Sequence, residues 1–344
     1  MAVLEHEGDV PSPCAHIRLV PFLNAMQSAG LASVRFVRAA EVDRHSADII
    51  ITHRVSVKTE REANALLESA RRRSIPLIYD LDDNLFELDP DAEGGKYRPL
   101  IGVVRAFVQG ADEIWASTAT LATSLRESGG GNVVVHRNQL DPSIWRDVLS
   151  RPVAPATRGN PVRVLCMGTR THARDFEIVE PVLRALKGRF SDSVQICVVG
   201  VRDTDDGNAA WMESLPPPPF VGASYPAFVS WLGTLPPFDI GLSPLCANDF
   251  NRCKSEIKFL DYAALGLAPV VSDLEPYRDL VQSGTNGYLV EEQYESWLAV
   301  TNRLVSDHEH RLQVARAARS LDFQEAFLRG VQERWSSIEV QVRP

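Results

Sequence analysis

Short apolar runs alternate with longer amphipathic stretches through nearly all of the 344-residue chain, and they do so in two separate series. In the first, residues 34–37, 48–52, 76–81, 113–116 and 133–136 read as strands, with helices over 17–30, 60–73, 100–110 and 118–128 between them. Strands joined through a helix pair in parallel, because the helix carries the chain back to the edge where the previous strand began. The series therefore predicts an open parallel sheet with helices on both faces. Residues 150–161, with three prolines and a Gly-Asn pair, break the pattern. It restarts with strands at 162–167, 194–199, 239–243, 268–272 and 287–290, and helices at about 176–189, 226–232, 256–265, 276–283 and 292–306.

The expected organisation is thus α/β, with two Rossmann-like doubly wound domains at 1–149 and 162–320 and a linker at 150–161. A chain of this length exceeds what one core usually serves. In the tail, helical from about residue 308, Phe323, Phe327, Val331 and Trp335 recur every four residues on one face. Such a stripe needs a surface to cover, so residues 321–344 are expected to pack back on the N-terminal domain. The run Pro216–Pro219 reads as a stiff surface loop, with a proline-binding partner as the alternative.

Composition excludes several classes. A formal charge of −9 argues against bulk nucleic-acid binding, which needs a surplus of Lys and Arg. No window approaches the roughly 18 apolar residues of a membrane span. Glu5, Glu7 and Asp9 stand where a secretory signal would carry basic residues, so a cytoplasmic location is expected. The five cysteines are odd in number and form no C-x-x-C pair, which reads as reduced core thiols.

In open parallel sheets, ligands sit beyond the carboxyl ends of the strands, where helix N-termini present unpaired amides to anions. The strand 162–167 runs into Gly168, Thr169, Arg170, Thr171, His172, Ala173, Arg174 and Asp175. Glycine lets backbone approach, Thr169 and Thr171 offer hydroxyls, and Arg170 or Arg174 could balance a diphosphate. A turn capped by Asp175 is the plainer alternative. A second cluster holds Lys254, Ser255, Lys258 and Asp261. Lys254, Lys258 and Asp261 are four and then three residues apart, which places them on one helical face, with Ile257, Leu260 and Ala264 turned toward the sheet. The lysines would neutralise phosphate and Asp261 would accept hydrogen bonds from ribose. A solvated face with paired charges is the alternative.

The stretch from Phe238 through Asp261, Tyr262, Ala263, Ala264, Leu265, Gly266 and Pro269, Val270, Val271, Ser272 to Asn286, Gly287, Tyr288, Leu289, Val290 resembles the donor-binding domain of retaining glycosyltransferases with the GT-B fold. That family carries two glutamates eight positions apart. The second contacts donor ribose and maps onto Asp261, a shorter acid. The first touches the sugar and maps onto Cys253, so its contact falls to another residue such as Lys254 or Asn251. Gly168, Thr169, Thr171, His172, Asp175 and Phe176 are similar to a phosphate-side turn in members associated with bacterial surface polysaccharides. So are the segments 47–54, 79–86 and 138–141 in the first half.

The resemblance implies two domains facing each other across a cleft. It also implies a nucleotide-diphosphate-sugar donor, a glycan or lipid-linked acceptor, retention of anomeric configuration, and no cofactor or divalent metal. Arg54 and Asn138 fall on the acceptor side.

Asp80, Asp82 and Asp83 crowd the end of the strand 76–81. They read in three ways: an Asp-x-Asp metal site, strand-end acids capping a turn through Asn84, or a cleft site. In the third, Asp82 falls where related enzymes carry a histidine near the anomeric carbon, which makes Asp82 the expected catalytic-side residue beside Asp83 and His53. Arg71, Arg72 and Arg73 suit a solvated helix end, with a footing on an anionic membrane as the alternative. Two competing functions remain open: a nucleotide-sugar epimerase on the same fold, and a non-catalytic nucleotide-sugar-binding module.

Overall fold

The computed structural model describes residues 1–88, 94–153, 160–169, 172–201, 211–222 and 224–342. Its strands are β1 (Ala2–Val3), β2 (His6–Glu7), β3 (Val10–Pro11), β4 (Phe36–Val37), β5 (Ile50–His53), β6 (Leu77–Leu81), β7 (Glu113–Ala116), β8 (Val133–Val135), β9 (Val162–Met167), β10 (Val194–Val199), β11 (Glu213–Ser214), β12 (Ile240–Ser243), β13 (Ala268–Ser272) and β14 (Tyr288–Val290). Two six-stranded sheets result, ordered β4-β1-β5-β6-β7-β8 and β11-β10-β9-β12-β13-β14, and every pairing within them is parallel. β2 and β3 form a small antiparallel hairpin. The central strands β5, β6, β7 and β13 are buried at every position, as expected where helices cover both faces of a sheet.

Strand order reverses beside β1 in the first sheet and between β9 and β12 in the second. At such points the loops leave toward opposite faces and open a crevice at the carboxyl ends. Glu5, His53 and Arg54 lie at the first, and Gly168, Ser243 and Pro244 at the second.

Three expectations are corrected. The first sheet is built around β1, which the strand pattern did not include. The expected helix 17–30 is two helices, Pro13–Arg18 and Val20–Ser28, since Leu19 leaves helical geometry (ψ −52° with φ −128°) and Pro21 starts a new first turn. The expected helix 276–283 is one short turn, Glu275–Arg278.

The tail forms two helices, His308–Arg319 and Phe323–Val342. The first belongs to the second domain, where Arg311 lies 3.5 Å from Asp239. The second crosses to the first domain. Phe327 stacks on Phe22 with centroids 4.9 Å apart, and Phe327, Val331 and Ile338 share a core cluster with Leu23, Ile51, Ile78 and Trp115. Burying each such side chain is worth roughly 1.5–3 kcal/mol. Arg334 is fully buried over the Phe22 ring at 3.8 Å and donates to Arg137 O at 3.2 Å.

Candidate nucleotide-sugar site in the cleft

β9 ends at Gly168, whose N–H donates to Val199 O at 3.0 Å. A Cβ at Gly168 would lie 2.9 Å from Val201 Cγ1 and 3.0 Å from His172 Cδ2, and one at Gly200 (φ +74°) would lie 2.3 Å from Gly168 O. The ends of β9 and β10 therefore meet backbone to backbone, which only glycine permits. Thr169 is exposed beyond this contact. Arg170 and Thr171 lie outside the described residues.

His172 caps the helix Ala173–Phe190 and puts Nδ1 2.8 Å from Asp175 Oδ2. Burial and the nearby Lys254 ammonium lower its pKa against the pull of Asp175, so the imidazole is neutral at neutral pH. Asp175 is buried, which alone would raise its pKa. Hydrogen bonding to His172 and the donated Cys246 N–H hold it below the usual carboxylate range. Asn251 Nδ2 adds a second donor at 2.8 Å.

The helix Ile257–Leu265 begins later than expected, with Glu256 at its N-cap, so Lys254 and Ser255 precede it. The expected single helical face is corrected accordingly: only Lys258 and Asp261 share it. Lys254 Nζ sits 4.6 Å above the Phe250 ring and still acts electrostatically on His172, as does Lys258. Tyr262 is the side chain that lies on the sheet, against Gly241, where it donates to Leu242 O at 2.9 Å. Asp261 is 5% exposed, its Oδ2 is 3.4 Å from Lys258 Nζ, and its Oδ1 has no hydrogen-bond partner among the described residues. Burial raises its pKa to about 6 despite Lys258.

Across the cleft, Arg54 adopts a left-handed backbone (φ 44°) that costs an L-residue about 1 kcal/mol. Its guanidinium contacts Asp82 Oδ1, lies 2.9 Å from Asp83 Oδ2 and 3.1 Å from Glu5 Oε2, and stacks over Tyr97 at 5.7 Å. Burial would raise the Asp82 pKa, but Arg54 outweighs it and keeps the carboxylate ionised far below its usual range. Beneath this layer Arg18 binds Asp80 at both oxygens, at 3.1 and 2.7 Å, with neither side chain exposed.

The remaining first-domain candidates are placed differently from expectation. His53 is 0% exposed, neither ring nitrogen has a hydrogen-bond partner among the described residues though Nε2 lies 3.9 Å from Asp80 Oδ1, and burial lowers its pKa, so it is a neutral side chain in the floor. Arg54, placed on the acceptor side by the resemblance, is 3% exposed and occupied by carboxylates. Asn138 is 3% exposed and acts as a strut between domains: its Oδ1 accepts from Arg18 at 3.0 Å and its Nδ2 donates to Ser255 Oγ at 2.7 Å. Further links join Asn84 Nδ2 to Cys253 Sγ at 3.7 Å, Thr118 Oγ1 to Cys253 O at 3.0 Å, and Arg137 to Asp279 at 2.6 Å.

The segment 253–256 of the second domain thus docks on the carboxyl edge of the first sheet. The cleft has lysines and His172 on one wall and acids gathered by an arginine on the other. Arg18 and Glu5 were missed as site residues in sequence, while Asn251, offered there as a sugar contact, donates to Asp175. An arginine on a short helix carries no sign that its partner stands 62 residues later.

All five cysteines are free, and Cys166, Cys197 and Cys253 are buried. Arg71, exposed, donates to Gly110 O at 3.2 Å, and Arg73, half-buried, to Val42 O at 3.0 Å. Among the described residues no helix is long and apolar enough to cross a membrane.

No family model and no curated protein matches the sequence. Solved structures do. Anabaena HepE in complex with UDP-glucose is 15% identical with a TM-score of 0.63, over 98% of this chain and 99% of that one. Sucrose-phosphate synthase from Thermosynechococcus elongatus is 13% identical, with a TM-score of 0.57 over 88% and 75%. The pneumococcal O-GlcNAc transferase GtfA in complex with UDP and GlcNAc is 12% identical, with a TM-score of 0.55 over 89% and 60%. Two parallel six-stranded sheets, their carboxyl edges turned toward a shared cleft and a terminal helix crossing back, give this chain the GT-B fold of those glycosyltransferases.

Proposed function

We propose that the chain is a glycosyltransferase that takes a sugar from a nucleotide-diphosphate donor and passes it, with retention, to a glycan or lipid-linked acceptor. The observation that carries this reading is the pairing of Lys258 with a buried Asp261 that keeps one oxygen without a hydrogen-bond partner among the described residues, beside His172 and Lys254. A ribose diol supplies the two hydroxyl donors such a carboxylate lacks, and the ammonium groups suit a diphosphate. The fold supports the same assignment, since HepE, GtfA and S. aureus TarM were each solved with UDP or a UDP-sugar.

In this scheme Gly168 lets the donor phosphates approach the backbone, while Lys258, Lys254 and Arg170 steady the departing diphosphate. Asp82, held ionised by Arg54, lends negative charge to the cation that develops at the anomeric carbon, and Asp83, with a quarter of its side chain exposed, is the acid that meets sugar hydroxyls. A divalent cation is not required, because Arg54 already supplies the positive charge between Asp82 and Asp83.

Calorimetry with UDP and UDP-sugars, without metal and then with it, tests the reading. Binding that disappears in Lys258→Ala and Asp261→Ala while both variants stay folded is expected. Absence of binding at millimolar nucleotide, or wild-type donor turnover in both variants, overturns it. Epimerisation of the donor without acceptor would instead favour the epimerase alternative.

A further inference from the structure

A groove of about 560 Å³ opens between the domains at the contact of Asn84 with Cys253, lined on one side by the helix Ala119–Glu127 and on the other by residues 249, 252 and 253. Its size falls within the range of small-ligand sites. Asn84, 1% exposed, donates from Nδ2 to Ser124 Oγ at 2.9 Å, and its Oδ1 is buried with no hydrogen-bond partner among the described residues. An acceptor left in this state costs free energy that a donating hydroxyl would recover.

The charges in the groove are one-sided. Glu87, Glu127 and Asp249 line it and form no ion pair among the described residues, while the guanidinium of Arg252 is spent on Glu275 at 2.7 Å. The hydroxyls of Thr120 and Thr123 complete a wall rich in hydrogen-bond acceptors and poor in large apolar side chains. A ligand that brings many hydroxyl or ammonium donors and no negative charge fits this lining. A phosphate, carboxylate or extended apolar group does not.

Building on the glycosyltransferase reading, we propose that the groove seats a neutral or amine-bearing sugar ring and rejects acidic sugars. Asn84 follows Asp83 directly in the chain, and Cys253 stands at the position where the resembled family touches sugar, so the seat adjoins the acids of the cleft. The ring could belong to the donor or to the acceptor.

The test is saturation-transfer NMR with the methyl glycosides of glucose, glucosamine and glucuronic acid, with and without UDP or UDP-glucose. Thr123→Trp fills the groove from an exposed helix position, and Glu127→Lys with Asp249→Lys reverses its charge. Glucose and glucosamine glycosides should give signals about tenfold stronger than the glucuronide, as repulsion between like charges predicts. Thr123→Trp should abolish them while keeping wild-type UDP affinity and melting temperature, and the double lysine variant should favour the glucuronide. Equal signals from all three, signals from none, or signals that survive Thr123→Trp overturn the proposal. Displacement of the glycosides by UDP-glucose assigns the seat to the donor sugar, and persistence beside it assigns the seat to the acceptor. Loss of UDP binding in the wild-type protein would sink the donor reading and leave the glycoside comparison standing.

Discussion

Replacing Asp261 by asparagine should make the protein more stable at neutral pH and a poorer nucleotide binder. The folded pKa of Asp261 is about 6 against 3.8 for the free side chain. Two units at about 1.4 kcal/mol each put the cost of its buried charge at about 3 kcal/mol. The sign follows from linkage. Between pH 3.8 and 6 the folded state holds a proton that the unfolded state has lost, so stability falls as pH rises through that window, and the full cost persists above it. The amide side chain of Asp261→Asn would keep the shape and remove the charge. The attraction of Lys258, whose side chain is 22% exposed, is already contained in that net shift.

The variant should therefore equal the wild type near pH 4 and exceed it by about 3 kcal/mol at pH 7.5. Nucleotide affinity should move the other way. Ribose hydroxyls gain about 1.5–3 kcal/mol from a charged acceptor and about 0.5–1.5 from a neutral one, so binding should weaken roughly 5- to 30-fold. Urea unfolding at four pH values and calorimetry with UDP read both effects. A variant uniformly less stable at every pH, or one that binds UDP as well as the wild type, refutes the reasoning.

Arg54→Gln leaves Asp82, Asp83 and Glu5 without their counter-charge, and breaking a buried pair of this kind costs about 3–5 kcal/mol. Because the folded Asp82 pKa is depressed, its contribution exists above the unfolded value and fades as pH falls through the folded one. Urea midpoints should therefore differ fully at pH 7 and begin to converge only below pH 3.8. Gly168→Ala forces a Cβ to within 3.0 Å of His172 and should cost about 1–3 kcal/mol while shifting the imidazole resonances, whereas an unshifted spectrum would contradict the close approach. Phe327→Ala removes a side chain that is 6% exposed and should cost about 3–5 kcal/mol. Hydrogen exchange should then rise in Phe323–Val342 and Val20–Ser28 together, and protection unchanged in either helix would refute their mutual packing.

What could be read in the sequence depended on length and locality. β6, β7, β9, β10 and β13 announce themselves as largely apolar runs that carry at most a single charged or amide residue each, since strands covered on both faces have no polar side to alternate with. β1 is two residues long, too short for any period to register, although it sits beside the switch point of its sheet. Within the candidate site, Lys258 and Asp261 were legible because a helix fixes their spacing. Lys254 was misplaced by one turn because Glu256 caps the helix there. Arg54 entered through the resemblance alone, because its three carboxylate partners come from the ends of different strands. Asn138 gave no sign that Ser255 would meet it 117 residues on. Local periodicity reports elements, and the meeting of strand ends is a property of topology.

The helix Phe323–Val342 is encoded after the second domain yet completes the core of the one before it. During synthesis, Phe22, Ile51, Ile78 and Trp115 must wait uncovered while some 190 further residues are added, about 10–40 s at common elongation rates. Over that interval the leading half presents an apolar stripe shaped for a helix not yet made. Deleting the final twenty residues would accordingly leave the trailing domain largely intact and strip the leading one.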